Sequence, residues 1–445
     1  MKYLKVIIYS WLIFSVNFTH GQKFKFEIDD YVKPYLESKD FSGAILIADG
    51  DDIVFQNEYG YSNLENKIFN TRNTIFGIGS ISKQFTAVSI LLLEEQGKLN
   101  IQDKIAKFFP QLNNNISEIT IHQLLSHTSG LPTNLFEDHQ QLKIYRSSKE
   151  LLNLINGLGS QFIPGNKLLY SNVGFTLLSL IIEKVSNSTF SDFLKDEIFL
   201  KLNLNQTFHN DNSSLHSNLA TGYDPAENNF KLERTHYIDY SNVKGAGSLF
   251  SSVLDLHKWN LALHRDGFLS RLSYDKLTKV YEGGRGYGVG IYTRAGKKVI
   301  GHDGVLNGFN GFLEWYVDQQ RTVVYLGNIR SGFLGLLQNS IASIMWDKPI
   351  INYSYDNNTY SYNLNESFLG NYELFPGFLL TVEKINGKPK LKGSAGYSTD
   401  LKVLEQPNEF YYRAMFAKII FKKEGDKKKL IWVDRRGKEY EAKKI

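Results

Sequence analysis

Residues 76–87 read FGIGSISKQFTA, and this stretch opens the helix around which the predicted fold is built. Small and polar residues lead into it, and the apolar positions Phe85, Val88 and Leu92 then recur at helical spacing. Such a pattern is typical of a helix that packs one face against a core. The sequence therefore predicts a buried helix that begins near Ser80.

A Ser-x-x-Lys pattern, Ser80 to Lys83, stands at the start of this helix. Residues three apart share one face of a helix, so the Lys83 amine can reach the Ser80 hydroxyl. A serine hydroxyl is a poor nucleophile at neutral pH and needs such a neighbour, whose pKa burial would lower. The pattern recurs at 241–244, before a glycine-rich bend, and at 273–276, in a polar stretch. We therefore predict Ser80 as the nucleophile and Lys83 as its activating group.

A second element is a Tyr-Ser-Asn tripeptide that contains Tyr170 and Asn172. It lies between a Pro-Gly turn and an apolar helix predicted over 173–185. The same tripeptide at 61–63 lies in a turn after a strand, and at 240–242 it precedes a glycine-rich bend. A rigid helix start is a good platform for a phenol and a carboxamide. Tyr170 and Asn172 are therefore the preferred candidates.

The third element is Gly301-His302-Asp303-Gly304, which is flanked by predicted strands. We expect it on or beside an edge strand of the sheet. Small residues at such an edge allow the backbone of a substrate to pair with the strand. His302, Asp303 and Gly304 are therefore candidate substrate-binding residues.

The ordered set Ser-x-x-Lys, Tyr-x-Asn and His-x-Gly resembles the serine β-lactamase and penicillin-binding protein superfamily. It is most similar to the branch that holds class C β-lactamases, D-stereospecific peptidases and esterases. Further stretches agree, namely LLSHTSGL at 124–131, YSNVGF at 170–175 and GAGSL at 245–249. The resemblance covers roughly residues 30–350, and the order of the motifs is more specific than any one of them.

The resemblance implies a role for each matching residue. Ser80 would attack a carbonyl carbon and form an acyl-enzyme, and Lys83 would act as general base or would hold the phenolate of Tyr170. Tyr170 would pass the proton to the leaving group and later help to activate water. Asn172 would bind Lys83 and a substrate carbonyl, and the N–H groups of Ser80 and Val305 would form the oxyanion hole. No metal and no cofactor are implied.

The third motif departs from the Lys-Thr-Gly or His-Thr-Gly that many family members carry. His302, as a neutral imidazole, is a weaker partner for an anion than lysine. Asp303 would repel a substrate carboxylate if it pointed into the cleft. The sequence thus favours ester, amide or peptide substrates over β-lactams, unless Asp303 points away from the cleft. His127 is interpreted as structural, and residues 133–149 as a wall of the cleft.

Helices in the middle of residues 22–350 and strands at both ends predict an α/β fold, in the α+β layered sense. Its antiparallel sheet would be flanked by helices and assembled from the two ends of this region, as in the β-lactamase/transpeptidase-like fold. Residues 351–366, rich in Asn, Tyr and Ser, predict a linker. Short strand patterns separated by glycine-containing turns then predict a small all-β domain over 367–445.

Composition excludes several kinds of chemistry. The 445 residues include no cysteine, which removes disulfides, thiolate metal sites, a cysteine nucleophile and a lipoprotein anchor. Residues 367–445 hold 17 Lys and Arg against 10 Asp and Glu, yet no pattern of basic and aromatic residues predicts nucleic-acid binding.

Residues 1–21 predict a signal peptide with cleavage before Gln22, because Lys2 and Lys5 precede a short apolar stretch. An uncleaved anchor is the alternative. We therefore expect an exported protein, periplasmic or secreted, that contacts the membrane only through this segment.

The leading functional hypothesis is an exported serine hydrolase that acts on ester, amide or peptide substrates. A D-alanyl-D-alanine carboxypeptidase or β-lactamase, acting on cell-wall peptides or β-lactams, is the first alternative. A non-catalytic envelope protein that binds cell-wall fragments is the second, and the presence of all three motifs argues against it.

Overall fold

The computed structural model of the chain describes residues 20–136, 138–212, 216–225, 231–350, 364–375, 377–393, 398–403, 408–412, 417–425, 427–434 and 438–445. Residues 1–19 of the predicted signal peptide and residues 351–363 of the predicted linker lie outside these ranges. Within them, no helix combines the length and the apolar character needed to cross a membrane.

Ten helices are present in the described ranges. They are α1 (His20–Glu37), α2 (Ser82–Glu95), α3 (Asn114–Ser117), α4 (Ile121–Leu125), α5 (Ser148–Asn156), α6 (Asn172–Ser186), α7 (Phe190–Leu194), α8 (Val253–His264), α9 (Arg271–Thr278) and α10 (Phe333–Met345). The helix predicted over 173–185 is thus α6. Its first residue follows Ser171, whose hydroxyl accepts a hydrogen bond from the Gly174 N–H and caps the helix.

Strands occupy both the region up to residue 350, called here the hydrolase domain, and the C-terminal region. In the hydrolase domain they are β1 (Gly43–Asp49), β2 (Asp52–Tyr59), β3 (Tyr61–Asn63), β4 (Ile68–Phe69), β5 (Phe76–Gly77), β6 (Phe208–His209), β7 (Tyr223–Pro225), β8 (Leu232–Arg234), β9 (Leu249–Ser251), β10 (Gly290–Arg294), β11 (Lys297–Leu306), β12 (Phe309–Tyr316) and β13 (Arg321–Gly327). In the C-terminal region they are β14 (Gly370–Phe375), β15 (Phe378–Ile385), β16 (Lys388–Gly393), β17 (Ser398–Val403), β18 (Glu409–Tyr412), β19 (Ala417–Glu424), β20 (Lys427–Val433) and β21 (Glu439–Lys444).

The central sheet has six antiparallel strands in the order β10-β11-β12-β13-β1-β2. Strands β1 and β2 come from the N-terminal end of the hydrolase domain, and strands β10 to β13 come from its C-terminal end, as predicted. The middle strands β1, β12 and β13 are buried on both faces, because helices cover each side. The predicted layered fold is confirmed.

Alternate residues of the sheet belong to two separate hydrophobic cores. On the inner face, Leu46 and Leu313 pack with the helices α2, α6 and α8. On the outer face, Ile47 and Phe312 pack with α1 and α10. Each strand residue can therefore be assigned to one face, and the inner face is the one that meets the Ser80 helix.

The C-terminal strands β14 to β21 form a closed barrel. Its interior is filled by side chains such as Leu380, Phe410 and Leu430. Leu364, inside the predicted linker, also packs into this interior. The Tyr411 side chain faces outward and packs into the outer core of the hydrolase domain, so the two regions are in contact.

Candidate active site

Ser80 and Lys83 meet where a single 3-10 turn, Gly79–Ile81, leads into α2. The α-helix proper begins at Ser82, two residues later than predicted, and both side chains still share one face. Ser80 is partly exposed, whereas Lys83 is wholly buried. The Lys83 Nζ donates hydrogen bonds to the Ser80 Oγ at 3.0 Å and to the Ala246 carbonyl oxygen at 2.7 Å.

The environment of Lys83 favours the neutral amine. Burial is the main reason that the pKa of Lys83 lies well below its ordinary value, and the positive charge of Arg285 lowers it further. A neutral amine 3.0 Å from the Ser80 Oγ can accept the hydroxyl proton. The geometry thus suits the predicted pairing of nucleophile and base.

Tyr170 lies beside this pair, with its ring centroid 4.9 Å from the Lys83 Nζ. Burial raises the pKa of Tyr170 to about 12, although a hydrogen bond with Ser80 and the charge of Arg285 both act to lower it. The phenol is therefore protonated at neutral pH. The structure brings the three predicted catalytic residues together in one place.

His127, interpreted from the sequence as structural, accepts hydrogen bonds from the residues before and after Tyr170. The Leu169 N–H donates to the His127 carbonyl oxygen at 2.9 Å, and the Ser171 N–H donates to the His127 Nδ1 at 3.1 Å. The imidazole also lies 4.4 Å from the Tyr170 ring, centroid to centroid. Burial keeps the pKa of His127 well below its ordinary value, so the ring is neutral. His127 is thus a positioning residue for Tyr170.

Strand β11 carries the third motif past Ser80. Its pairing with β10 ends where Gly290 lies opposite Gly301, so His302 and the residues after it extend beyond the edge strand. A methyl group on Gly304 would come 2.0 Å from the Ile78 carbonyl oxygen, which explains why β11 can lie so close to the nucleophile turn. The motif therefore lies on β11, the second strand of the sheet. Because the pairing with β10 ends at Gly301, β11 forms the edge of the sheet at this point.

Val305 lies beside the nucleophile through its backbone. A methyl group on Gly79 would come 2.7 Å from the Val305 nitrogen, so the two backbones are in contact. This places the Val305 N–H near the Gly79-Ser80 peptide, as an oxyanion hole formed by Ser80 and Val305 requires. The role itself stays a prediction.

His302 is on the inner face of the sheet, with its ring centroid 6.2 Å from that of Tyr170. Burial of the imidazole, with the charges of Lys83 and Arg285, lowers the pKa of His302 to about 3. His302 is therefore a neutral group at the site over the whole physiological pH range.

Asp303 is on the opposite face of β11 from His302. Successive residues of a strand point to opposite faces, so Asp303 is on the outer face, whereas His302 and Gly304 are on the inner one. Its carboxylate accepts a hydrogen bond of 2.8 Å from the Gln338 Nε2 on α10. Asp303 nevertheless lines the same cavity as Ser80, so its assignment as a substrate-binding residue stays a prediction.

Asn172 also differs from expectation. Its Nδ2 donates to the Asn134 Oδ1 at 2.8 Å, whereas Lys83 is bonded to Ser80 and to Ala246. The expected contact between Asn172 and Lys83 is therefore replaced by a contact with the Ala246 carbonyl. The physical reason is that the 245–247 segment lies against α2 and offers a carbonyl oxygen directly to the buried amine.

Arg285 is a site residue that the sequence reasoning missed. Its guanidinium lies over the Tyr170 ring, 4.8 Å from the centroid, and it lowers the pKa of Lys83. Arg285 belongs to the short segment 283–286, whose glycines were the only local signal that the backbone approaches another part of the molecule.

The site opens into two cavities. The first lobe, of about 690 Å³, is lined by Ser80, Tyr170, Arg285, His302 and Asp303 together with residues of β10 and Asn339. The second lobe, of about 370 Å³, is lined by Asn172 and by residues 134–136, His139 and Leu142. Residues 134–136, His139 and Leu142 belong to the predicted cleft wall, 133–149. Val305 lines both lobes and separates them.

A serine that is hydrogen-bonded to a buried lysine beside a tyrosine, on this fold, is typical of a class of serine hydrolases. The Beta-lactamase family model matches residues 28–338, so the chain belongs to the β-lactamase family and is a serine hydrolase.

Individual relatives agree with this assignment. Penicillin-binding protein 4* of Bacillus subtilis (strain 168) is 33% identical over 313 residues, which are 66% of this chain and 69% of the relative. The octameric penicillin-binding protein homologue from Pyrococcus abyssi aligns over 94% of this chain and 99% of its own, with a TM-score of 0.67 and 24% identity. The D-amino acid amidase from Ochrobactrum anthropi SV3 aligns over 73% and 97%, with a TM-score of 0.64 and 20% identity. The two structures show the shared fold.

Proposed function

We propose that this serine hydrolase is exported and cleaves an amide or peptide bond whose leaving half carries a carboxylate. The observation that carries the proposal is the hydrogen bond between the buried Lys83 amine and the Ser80 Oγ, with Tyr170 and Arg285 beside it. The name of the Bacillus subtilis relative, a penicillin-binding protein, is consistent with such a substrate.

The first half-reaction follows from the protonation states. Lys83, a neutral amine, takes the proton of the Ser80 hydroxyl, and the Ser80 oxygen attacks the carbonyl carbon. The N–H groups of Ser80 and Val305 stabilise the oxyanion that forms. The Tyr170 phenol donates its proton to the leaving nitrogen as the C–N bond breaks, and it regains a proton from Lys83.

The second half-reaction returns the enzyme to its starting state. Water attacks the ester carbonyl of the acyl-enzyme and gives up a proton to the same basic group. The Ser80 oxygen leaves and is reprotonated, and the acid is released. Sequence reasoning left open whether Lys83 or Tyr170 is the base. The lowered pKa of Lys83 and the raised pKa of Tyr170 favour Lys83.

Arg285 supports a carboxylate on the leaving half. Its guanidinium lines the first lobe beside Tyr170, the proton donor to the leaving group. Guanidinium groups bind carboxylates through paired, charge-assisted hydrogen bonds. Asp303 also lines this lobe, and its carboxylate accepts a hydrogen bond from the Gln338 side chain on α10. Carboxypeptidase or β-lactamase activity on cell-wall peptides or β-lactams is therefore the preferred form of the proposal.

The decisive experiment compares the wild-type protein with Ser80→Ala. Both are incubated with a fluorophosphonate, a fluorescent penicillin and short p-nitrophenyl esters, and intact mass and ester turnover are measured. A Ser80-dependent adduct together with ester turnover supports the proposal. A penicillin adduct that persists indicates a penicillin-binding enzyme, and one that turns over indicates a β-lactamase. Equal labelling and turnover of both proteins would contradict the role of Ser80, whereas the absence of labelling and turnover in the wild-type protein would favour a non-catalytic envelope protein.

Export is tested separately. The charged and apolar pattern of residues 1–21 supports it, and expression of the full chain in a related host, followed by cell fractionation, measures it. A periplasmic or secreted product whose mass corresponds to a start at Gln22 agrees with the proposal, whereas a full-length product confined to the cytoplasm contradicts it.

A further inference from the structure

One end of the barrel carries a concentration of lysines that the steps above do not use. Neighbouring strands of the barrel are all antiparallel, so β15, β19 and β21 run in one direction and finish at the same end. We call this end the basic rim, and it comprises residues 384–388, 422–429 and 443–445, of which residue 426 lies outside the described ranges. In sequence these stretches hold nine lysines against two acidic residues.

Several lysines of the basic rim lie directly opposite one another on paired strands. Lys422 is opposite Lys429 on the β19–β20 pair, and Lys423 is opposite Lys428. On the β20–β21 pair, Lys429 is also opposite Lys443. Like charges in such positions destabilise an antiparallel sheet. An anionic partner bound at the rim would relieve this repulsion.

Much of the positive charge is not neutralised within the protein. Lys429 is paired with Glu424 at 2.9 Å and with Glu441 at 3.1 Å. Three other lysines of the rim are exposed and have no carboxylate partner among the residues that the structure describes, namely Lys422, Lys423 and Lys443. Their exposure is that in the whole chain, so the hydrolase domain does not cover them.

Two large apolar side chains are exposed among these lysines. Ile385, at the end of β15, is 42% exposed, and Ile445 is 67% exposed. Ile445 is held at the rim because its N–H donates to the Asn371 carbonyl oxygen at 2.9 Å. Apolar side chains beside basic ones are typical of surfaces that bind at the boundary between lipid headgroups and acyl chains. A soluble polyanion would engage only the lysines, so the combination favours a lipid surface.

From this arrangement we propose that the basic rim binds the surface of a membrane that contains anionic phospholipids. The lysines contact the headgroup phosphates, and Ile385 and Ile445 enter the boundary between headgroups and acyl chains. This is a membrane contact in addition to the one expected from residues 1–21. It goes beyond the proposed hydrolase function and does not depend on it.

The test measures how the mature chain, residues 22–445, sediments with vesicles of phosphatidylcholine alone and with vesicles that also contain phosphatidylglycerol. This form of the protein leaves out the predicted signal peptide, whose apolar stretch would bind lipid by itself. Binding to the anionic vesicles should be tighter by about tenfold or more. It should weaken as salt is added, because salt screens the charge of the lysines.

A triple variant tests the lysines. Lys422→Gln, Lys423→Gln and Lys443→Gln together should weaken binding to the anionic vesicles by about tenfold or more. The matched control changes three exposed lysines of the hydrolase domain and so lowers the net charge equally; it combines Lys98→Gln, Lys149→Gln and Lys184→Gln. This control should bind the vesicles like the wild-type protein.

A single variant tests the apolar contact. Ile445→Ser should weaken binding to the anionic vesicles by about threefold or more, with the salt dependence unchanged. Thermal unfolding of each variant shows that the fold is kept.

Three outcomes would overturn the inference. The first is equal binding to both kinds of vesicle, and the second is an equal loss of binding in the two triple variants. The third is an unchanged affinity in Ile445→Ser together with rim-dependent binding to dextran sulfate, which would indicate a soluble anionic polymer as the partner instead. None of these results bears on Ser80, so the proposed function is judged separately.

Discussion

The hydrolase domain and the barrel differ in what they bury. In the hydrolase domain, ionisable side chains such as Lys83, Asp255 and Glu314 are 0%, 3% and 1% exposed. Among the barrel residues that the structure describes, no charged side chain is buried, and the interior is filled by residues such as Phe410 and Leu430. Both regions have dense cores, but only one keeps charge-bearing groups inside its core.

This difference distinguishes residues that stabilise the fold from residues that carry out the reaction. Removing an ammonium group from water costs several kcal/mol, and Lys83 has only a hydroxyl and a carbonyl oxygen as hydrogen-bond partners. An apolar side chain at position 83 would avoid that cost. A buried lysine with few hydrogen-bond partners therefore indicates a functional position, because the burial that makes the amine reactive also lowers the free energy of unfolding. The barrel shows no comparable position in its described residues.

The largest expected effect comes from removing the buried amine. Lys83→Met keeps the length and volume of the side chain but deletes the base, so kcat/KM for ester turnover should fall by about 10²–10⁴-fold. The free energy of unfolding should stay equal or rise, because the desolvation cost is removed. Kinetics and thermal unfolding measure the two quantities. Lys201→Met, which changes a lysine paired with Glu197 on the surface, is the control.

Arg285 should give the next largest effect. Arg285→Ala removes the proposed partner of the carboxylate, and kcat/KM for a peptide with a free carboxylate should fall by about 10- to 100-fold. A neutral ester should be affected much less. Arg271→Ala, whose side chain is 84% exposed on α9, is the matched control. Equal losses for charged and neutral substrates would show that Arg285 does not bind the carboxylate.

The same variant also tests the electrostatics of Lys83. The positive charge of Arg285 is the second cause, after burial, of the lowered pKa of Lys83. Without Arg285, that pKa rises and the amine becomes protonated at a higher pH. Since the base must be neutral to act, the acidic limb of the kcat/KM profile should move to higher pH. A shift to lower pH, or no shift, would argue against Lys83 as the titrating base.

His127 should give a smaller effect through Tyr170. His127→Asn preserves an acceptor near the Ser171 N–H and suits the left-handed backbone at this position, where φ is 59°. It removes the ring that packs against Tyr170, and a displaced phenol should lower kcat by about tenfold with KM nearly unchanged. His122→Asn, which changes a histidine bonded to Tyr287 instead, is the comparison. A fall in kcat that is equal in His127→Asn and His122→Asn, with an equal loss of thermal stability, would point to a general loss of structure.

Local sequence patterns predicted those site residues whose relative positions are set within a single helical turn. Ser80 and Lys83 are three residues apart, so any helix or 3-10 turn brings them together. Tyr170 was selected by its position before an apolar helix, and the Ser171 cap explains that position. The central sheet was predictable because strands with long apolar runs lie at both ends of the hydrolase domain.

The features of the site that could not be predicted depend on contacts between residues that are far apart in the sequence. The face that Asp303 occupies depends on the register of β11, and a shift of one residue would move it to the Ser80 side. Arg285 reaches Tyr170 because its segment leads into β10, more than 100 residues away in sequence. The acceptor for Lys83 is a backbone carbonyl, Ala246, which side-chain patterns do not reveal.

The barrel should give the smallest effect on chemistry and a large one on stability. Phe410 is wholly buried in the barrel interior, and Phe410→Ala should destabilise the barrel by about 3–5 kcal/mol.

The Phe410 side chain points away from the hydrolase domain, whereas its neighbour Tyr411 makes the contact with that domain. At a temperature where both regions remain folded, kcat/KM for ester turnover should therefore change by less than about twofold, since none of the described barrel residues lines either lobe. Calorimetry and ester kinetics on the same preparation measure both effects, and Ile419→Val, a milder truncation in the same interior, should lower stability by about 0.5–1.5 kcal/mol. If turnover falls in proportion to the loss of stability across these two variants at that temperature, the barrel supports the site directly, and the separation of stability from chemistry drawn above is wrong.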